Sequence, residues 1–327
     1  MIILPELKDI QDAYARIASL INKTPIMTSR TLDDLVNAKI FLKCENFQRG
    51  GAFKFRGACN AILQLSKEEK ENGIIAHSSG NHAQAVALAS SLLGVKAVIV
   101  MPNNAPGVKV AATKGYGAEI VFSGNSLDNR IMVVNELISQ HGYTLIHPYD
   151  NENVIAGAGT AVLEFLGDIK EKGGLDIVFC PIGGGGFISG TSIAFKGLSA
   201  DSKVIGAEPE IANDAYRSFK SGNLLKNVNI GTIADGLRTS LSERTFRIIQ
   251  ENVDDIVTVS ENEILKAMRF LWERMKLVVE PSGAVPLAAL LSNKVDVENR
   301  QVGIMISGGN IDLDRFFAFL ESDISNG

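Results

Sequence analysis

The chain has 327 residues, which at roughly 150 residues per domain predicts two domains. Because 46% of the residues are hydrophobic and only 21% are charged, the chain can bury a large core without disulfides or structural metals. The net charge of −5 gives no basic footprint and argues against nucleic acid as a partner.

The start of the chain and its apolar stretches indicate where the protein resides. Residues 1–6 contain neither a basic region nor a long apolar region, so we expect no secretory signal. The most apolar stretch, 85–101, is interrupted by Gly94 and Lys96 and predicts no membrane span. The three cysteines are far apart and odd in number, which fits neither a disulfide framework nor a zinc site. We therefore expect a soluble, cytoplasmic protein.

Short apolar runs alternate with helical patterns along nearly the whole chain. Most runs are continuous and rich in Val and Ile, which is typical of strands buried on both faces of a parallel sheet. The predicted strands are 40–44, 73–76, 97–101, 119–122, 143–146, 176–180, 203–206, 255–259 and 302–306. Predicted helices between them include 81–93, 125–141 and 261–275. This alternation predicts an α/β fold with helices on both faces of a sheet.

The densest glycine cluster follows the predicted strand 176–180. It consists of Gly183, Gly184, Gly185 and Gly186. Successive backbone N–H groups there can point into one concavity and, with the next helix N-terminus, bind an anion. The spacing is not GxGxxG, and no GxxxxGK[ST] loop occurs, so neither a dinucleotide fold nor a P-loop is indicated. A tight turn is the alternative, but four glycines lose more backbone entropy than a turn requires, so we favour a phosphate site.

Small and polar residues occupy two further junctions after predicted strands. The first junction contains Ser78, Ser79, Gly80, Asn81 and His82. These residues could form a helix N-cap or hold a substrate carboxylate, and the residues alone leave both open. The second junction, 307–310, has the sequence SGGN. Open α/β sheets bind ligands at the carboxyl ends of their strands, where these loops would converge.

Lys54 stands between Phe53 and Phe55, just after a pair of glycines. Most lysines are solvated surface charges. An aromatic setting that buried the amine would lower its pKa and make it a competent Schiff-base nucleophile. Together with a phosphate site, such a lysine suggests pyridoxal 5′-phosphate (PLP) as the cofactor.

These motifs resemble those of the fold-type II PLP enzymes, and more narrowly the serine racemase and serine/threonine dehydratase branch. The resemblance extends over nearly the whole chain in the expected order. The matching segments are 43–48 (KCENFQ), 51–58 (GAFKFRGA), 78–84 (SSGNHAQ), 109–113, 154–160, 183–186, 233–236 and 307–310 (SGGN).

The resemblance implies an architecture similar to the tryptophan synthase β subunit. Two open, twisted, mostly parallel sheets would carry helices on both faces. A large PLP-binding domain would consist of 1–71 and 148–327, and a small domain, 72–147, would close over the substrate. A homodimer is also implied.

The resemblance further assigns roles to individual residues. Lys54 would bond to PLP as a Schiff base and act as the base on the si face of the substrate Cα, and Ser79 would be the acid/base on the re face. The other cofactor-binding residues would be Phe53, Asn81 (at the phenolic O3′), Gly183, Gly184, Gly185 and Gly186 (at the phosphate), Gly236, Glu280, and Ser307 (at the pyridine nitrogen). The substrate-binding residues would be Ser78, Ser79, Gly80, Asn81, His82 and Tyr149.

The activity implied is a serine racemase that also acts as a serine/threonine dehydratase. A proton donor on each face permits racemisation of L-serine to D-serine, whereas loss of the β-hydroxyl gives a keto acid and ammonia. A dedicated dehydratase of L-threo-3-hydroxyaspartate or threonine shares the same motifs and remains an alternative. A PLP-binding or nucleotide-sensing protein without turnover is the alternative from another class. Some relatives are stimulated by nucleotides, so a nucleotide effector is a further candidate partner.

An acidic segment after the predicted strand 203–206 resembles a metal site of racemase-like members. The carboxylates of Glu208 and Asp214 and the carbonyl of Ala212 would bind a divalent cation. Such an all-oxygen set suits Mg²⁺, Mn²⁺ or Ca²⁺. Without the resemblance, an acidic loop capping a helix would be the favoured interpretation.

Overall fold

The computed structural model describes residues 2–105, 107–227, 229–312, 314 and 317–318, and helices alternate with strands throughout these residues. The strands are β1 (Ile26–Met27), β2 (Lys39–Cys44), β3 (Ile74–His77), β4 (Ala97–Pro102), β5 (Glu119–Ser123), β6 (Thr144–Leu145), β7 (Ile177–Pro181), β8 (Lys203–Pro209), β9 (Asp255–Val259) and β10 (Gln301–Ile306). The helices are α1 (Leu7–Ile17), α2 (Arg30–Val36), α3 (Lys54–Leu63), α4 (Lys67–Asn72), α5 (Asn81–Leu93), α6 (Gly107–Gly115), α7 (Leu127–His141), α8 (Glu152–Ile169), α9 (Gly186–Leu198), α10 (Asp214–Ser221), α11 (Glu243–Asn252), α12 (Glu261–Met275) and α13 (Pro281–Leu291).

The strands form two sheets. The larger sheet has the order β1-β2-β10-β7-β8-β9 and is parallel except for the antiparallel pair of β1 and β2. The smaller sheet has the order β5-β4-β3-β6 and is parallel throughout. In the larger sheet β10 lies between β2 and β7, so strands from distant parts of the chain are neighbours.

The four strands of the smaller sheet lie within 72–147, and those of the larger sheet lie outside that range. The division into domains of 1–71 with 148–327 and of 72–147 stays a prediction. The two ends of the predicted large domain, residues 1 and 319–327, fall outside the described part of the chain.

Alternate side chains of the central strands pack into different cores. In β7, Phe179 joins a core with α12 and α13, whereas Val178 joins a second core with α1, α8 and α9. In the smaller sheet, Ile99 packs towards α3 and α5, and Val98 packs towards α7. Because each sheet is covered on both faces, its strands are apolar along their length. The predicted α/β class, with mostly parallel sheets and helices on both faces, is confirmed.

A buried cluster of charges anchors the start of α3. The Arg56 guanidinium bonds to Glu45 at 2.7 Å and to Glu164 at 3.1 Å, and Lys43 bonds to Glu164 at 2.5 Å. All four side chains are buried, and buried charges are tolerated only when they are paired in this way. The cluster fixes the first turn of α3 and therefore the position of Lys54. Among the described helices, none is long and apolar enough to cross a membrane.

Candidate active site

Segments that follow strands of both sheets come together at the carboxyl ends of the strands. The turns after β2 lead to Lys54, the loop after β3 leads into α5, and the loop after β7 leads into α9. The Phe53 ring stacks on Phe187 of α9, the Phe53 amide donates to the Ser307 carbonyl after β10 at 3.0 Å, and Asn81 of α5 bonds to Glu280 at the start of α13 at 2.6 Å. The predicted site residues are thereby brought together around the ends of the parallel strands, as expected for an open α/β sheet.

Lys54 is the first residue of α3 and is partly buried. Its Nζ donates to the Pro148 carbonyl at 2.8 Å and lies 5.1 Å from the centre of the Phe53 ring. That ring stacks on Phe187 with a centroid distance of 3.9 Å. Burial lowers the pKa of Lys54 to about 8, against the smaller opposing effect of the nearby Glu280. At neutral pH a larger fraction of this amine is therefore neutral and nucleophilic than for an exposed lysine.

The loop between β3 and α5 leads directly into a helix start at Asn81. Gly80 is the N-cap residue of α5, and no side chain of the described residues caps this helix start. The Gly80 amide donates to the Ser78 hydroxyl at 3.2 Å, and a side chain added at Gly80 would meet open space. Ser79 is partly buried beside this space. The N-cap alternative from the sequence is therefore not realised through a side chain, and the helix start can receive an anion.

Asn81 and Glu280 form a polar pair next to Ser307. The Asn81 amide nitrogen donates to Glu280 Oε1 at 2.6 Å. Burial, assisted by the charge of Asp235, raises the pKa of Glu280 to about 8, so its carboxyl is mostly protonated at neutral pH. Gly308 lies against this pair, and a side chain there would collide with Glu280 Oε1. Ser307, at the end of β10, is buried.

His82 contacts the segment after β6, whereas Tyr149 packs against the four-glycine loop. His82 Nε2 lies 2.8 Å from the Ile146 carbonyl, so this nitrogen carries the proton. Burial, together with the charge of Lys54, holds the pKa of His82 well below its usual range. His82 is therefore neutral and contributes no positive charge to the site. The Tyr149 side chain lies against Gly184 and Gly186.

The four-glycine loop is packed so closely that it excludes side chains. A Cβ at Gly183 would lie 2.9 Å from the Gly236 carbonyl oxygen and 3.0 Å from Leu237 Cα. Gly185 has a φ of 86°, in the left-handed region, and within the described part of the chain no side chain caps the start of α9 that follows. The backbone N–H groups at this helix start are therefore available to a phosphate.

We expect Gly183→Ala to weaken cofactor binding about tenfold or more, because the new methyl group would displace the backbone of the loop or of residues 236–237. The matched control is Gly167→Ala in α8, where an added Cβ meets nothing and the helix gains up to about 1 kcal/mol. Titration of PLP into each apoprotein measures the effect. Equal affinities for the two variants would show that the loop does not contact the cofactor.

Glu208 and Asp214 form a buried carboxylate pair next to Ala212. Both Glu208 oxygens accept backbone N–H groups at the start of α10, from Ala215 at 3.1 Å and Tyr216 at 2.9 Å. This acidic residue therefore does cap a helix, as the alternative interpretation had it. Asp214 Oδ2 accepts from the Leu241 amide at 2.9 Å, and Oδ1 is buried without a partner in the described residues.

Burial raises the pKa of both carboxyls, that of Asp214 to about 6 and that of Glu208 well above its usual value, the latter further through the charge of Asp214. Two desolvated carboxyls and an orphaned oxygen fit a hard cation that would compensate their charge. No cluster of three or more His, Cys, Asp or Glu ligands occurs in the described residues, so backbone carbonyls and water would have to complete such a site.

Sequence reasoning missed three side chains near the site. Lys109 in α6 bonds to Asp235 at 2.7 Å and so links the helices of the smaller sheet to the turn that contains Gly236. Asn310 bonds to Asn81 at 3.0 Å. Arg130 in α7 has a buried Nε without a partner in the described residues. The motif 307–310 pointed to the neighbourhood of Asn310, but no sequence signal singled out Arg130.

A family model described as pyridoxal-phosphate dependent enzyme matches residues 17–308. The chain belongs to this family. A relative from Saccharomyces cerevisiae, L-threo-3-hydroxyaspartate ammonia-lyase, is 50% identical over 315 residues, covering 96% of this chain and 96% of the relative. Serine racemase from Schizosaccharomyces pombe is 45% identical over 320 residues, covering 98% of both chains. The crystal structure of Dictyostelium discoideum serine racemase has a TM-score of 0.88 at 47% identity, covering 94% of this chain and 99% of that one.

The site of this PLP-dependent enzyme fits the cofactor. A lysine with a lowered pKa is present for the covalent bond, and the start of α9 after the glycine loop offers backbone N–H groups for the phosphate. A stacked aromatic pair, Phe53 and Phe187, adjoins the lysine. The resemblance drawn from the motifs is confirmed at the level of fold, family and cofactor, and the roles of individual residues are proposals.

Proposed function

We propose that this PLP-dependent enzyme interconverts L-serine and D-serine and also eliminates the β-hydroxyl of serine and threonine to give a keto acid and ammonia. One observation carries this proposal: Lys54 and Ser79 follow strands of different sheets, and Lys54 lies close enough to the segment after Ser79 to act electrostatically on it. Lys54 follows β2, Ser79 follows β3, and the charge of Lys54 lowers the pKa of His82 in the Ser79 loop. A ligand bound between the sheets would therefore have a proton-transfer group on each side.

Bound PLP supplies an electron sink that makes the substrate Cα–H acidic. Lys54 would both hold the cofactor and remove the Cα proton of L-serine on one face, and Ser79 Oγ would deliver a proton on the other face. The reverse assignment converts D-serine to L-serine. The Ser78 hydroxyl and the N–H groups at the start of α5 would hold the substrate carboxylate. The buried Ser307 would offer a hydroxyl, not a carboxylate, to the pyridine nitrogen.

A specific observation favours L-threo-3-hydroxyaspartate as a second substrate. Arg130 is partly buried, and its Nε is buried without a partner in the described residues. After the effect of burial, the charge of Arg130 further lowers the pKa of His77, which directly precedes the Ser78–Ser79 loop. A guanidinium so close to the substrate loop would bind the second carboxylate of a dicarboxylic substrate. The ammonia-lyase name of the S. cerevisiae relative agrees with this assignment.

Arg130→Gln is expected to lower kcat/KM for L-threo-3-hydroxyaspartate about 10- to 100-fold, the range expected for one charged hydrogen bond. The value for L-serine, which has no second carboxylate, should change by less than about threefold. The control is Arg247→Gln, which removes an exposed guanidinium that pairs with Glu243 within its own helix. Parallel losses for both substrates would show that Arg130 does not read the second carboxylate.

We also propose that Glu208, Asp214 and the Ala212 carbonyl bind Mg²⁺, Mn²⁺ or Ca²⁺, supported by the orphaned Asp214 Oδ1. Chelation should lower the melting temperature on the order of 5 °C, because a cation that binds only the folded state stabilises it. Added Mg²⁺ should restore the loss. Asp214→Asn should abolish the response to chelator, whereas Glu210→Gln, on an exposed neighbouring carboxylate, should preserve it. An unchanged wild-type melting temperature in chelator would reject the site.

From the same resemblance we propose a cytoplasmic homodimer in which the small domain, 72–147, closes over the substrate, with a nucleotide as a candidate effector. Lys109 lies in the proposed small domain and Asp235 in the proposed large domain. The bond between them supports a contact across the boundary at which the small domain would close. Light scattering of the purified protein that returned a monomer would reject the dimer, and unchanged kinetics with added nucleotide would reject the effector.

A further inference from the structure

Asn310, in the loop after β10, bonds to two other segments of the site. Its Nδ2 donates to the Gly50 carbonyl at 2.6 Å and to Asn81 Oδ1 at 3.0 Å. The amide nitrogen of Asn81 in turn donates to Glu280 Oε1 at 2.6 Å. The chain of bonds therefore runs from the turn before Lys54, through the SGGN loop, to the start of α5 and then α13.

The direction of this chain follows from hydrogen-bond chemistry. A backbone carbonyl can only accept, so the Gly50 oxygen requires the NH₂ end of the Asn310 amide. The same NH₂ group faces Asn81, which must therefore present its oxygen to Asn310. The NH₂ end of Asn81 is thereby turned towards Glu280. Because that NH₂ group has two hydrogens and Glu280 takes one, the second is left for another acceptor.

We propose that Asn310 is a positioning residue that fixes the amide of Asn81 with its NH₂ end towards the cofactor. This inference rests on the proposed role of Asn81 as the ligand of an acceptor oxygen on the PLP ring. Without Asn310, the Asn81 amide can rotate by half a turn. Its oxygen, instead of its NH₂ group, would then face the acceptor oxygen of the PLP ring. The predicted cofactor contact then becomes a repulsion.

The surrounding backbone is adapted to hold Asn310. Gly51 has a φ of 71°, and a side chain there would collide with the Asn310 amide group. Gly308 is likewise required beside Glu280 and lies near the Asn81 amide nitrogen. Two glycines from distant segments thus leave room for the two bonded side chains.

The alternative is that Asn310 merely ties its own loop to Gly50. A double-mutant cycle separates the two roles, because a residue that acts through Asn81 loses its effect once Asn81 is removed. Asn310→Asp keeps the shape of the side chain but places a carboxylate against two acceptors. We would measure the dissociation constant of PLP for Asn310→Asp in the wild-type background and in the Asn81→Ala background.

We expect Asn310→Asp to weaken PLP binding about tenfold in the wild-type background, as for the loss of a hydrogen bond to a buried group. In the Asn81→Ala background it should change binding by less than about twofold. The absorption maximum of the bound cofactor should shift only in the wild-type background. Asn252→Asp is the control, since it removes a side-chain bond of 3.0 Å to a backbone carbonyl at the C-terminal end of α11, a residue without a predicted site role.

An equal weakening in both backgrounds would overturn the proposal in favour of a structural tie, and so would wild-type affinity in Asn310→Asp. If that variant does not fold, Asn310→Ala in the same cycle provides the test. A wild-type protein that binds PLP but shows no racemisation or elimination would refute the proposed function without touching this inference.

Discussion

Replacing Lys54 with alanine is expected to abolish both turnover and the visible absorption band of the lysine-bound cofactor. The reason is that the amine of Lys54, with its pKa lowered by burial, would form the covalent bond to PLP and also move the Cα proton. Losing both roles should reduce kcat at least about 1,000-fold, towards the upper range for removal of a proton-transfer group. Absorbance spectra and a keto-acid assay on the same preparation measure the two effects.

The matched control for this experiment is Lys114→Ala, an exposed lysine near the end of α6, which should leave the band and the rate unchanged. Lys54→Arg keeps a positive charge but cannot form the bond, so it should behave like the alanine variant. A surviving absorption band in Lys54→Ala would transfer the covalent role to another lysine and would refute the assignment.

The second large effect is expected for Ser79→Ala, which should separate the two reactions. Racemisation of L-serine and of D-serine requires a proton donor on the face opposite Lys54, so it should fall about 100- to 10,000-fold. Elimination from L-serine needs proton removal on the Lys54 face alone, so its rate should stay within about threefold. Simultaneous measurement of pyruvate and of both serine enantiomers gives the two rates.

Ser79→Thr keeps the hydroxyl group and should retain part of the racemase activity, which separates loss of the proton donor from damage to the loop. Equal loss of racemisation and elimination in Ser79→Ala would contradict the scheme in which the two faces are served by different residues.

The sheets were predictable because their strands are buried on both faces. The predicted strand 97–101, rich in Val and Ile, lies within the observed β4. The predicted strand 255–259 has the same bounds as the observed β9. The strand β1 has only two residues and depends on its antiparallel pairing with β2, so no local pattern indicated it. The helix predicted at 125–141 begins two residues later, because Ser126 caps it by accepting from the Asn129 amide.

The site was predictable where one short segment carries the chemistry. Four successive glycines and a lysine between phenylalanines are local signals, and they indicated a phosphate site and a nucleophile. Pairs such as Asn81 with Asn310, 229 positions apart, depend on the tertiary fold and have no local signature. The same holds for Arg130, whose significance comes from a buried Nε that has no partner among the described residues, and not from its neighbours in the sequence.

The most direct test of the central proposal is a product analysis of the purified wild-type protein. L-serine, D-serine, L-threonine and L-threo-3-hydroxyaspartate would be supplied separately, and keto acid and enantiomers would be measured together. We predict D-serine from L-serine, L-serine from D-serine, and pyruvate alongside both. Keto acid from L-threo-3-hydroxyaspartate with no exchange between the serine enantiomers would contradict the racemase and leave a dedicated dehydratase.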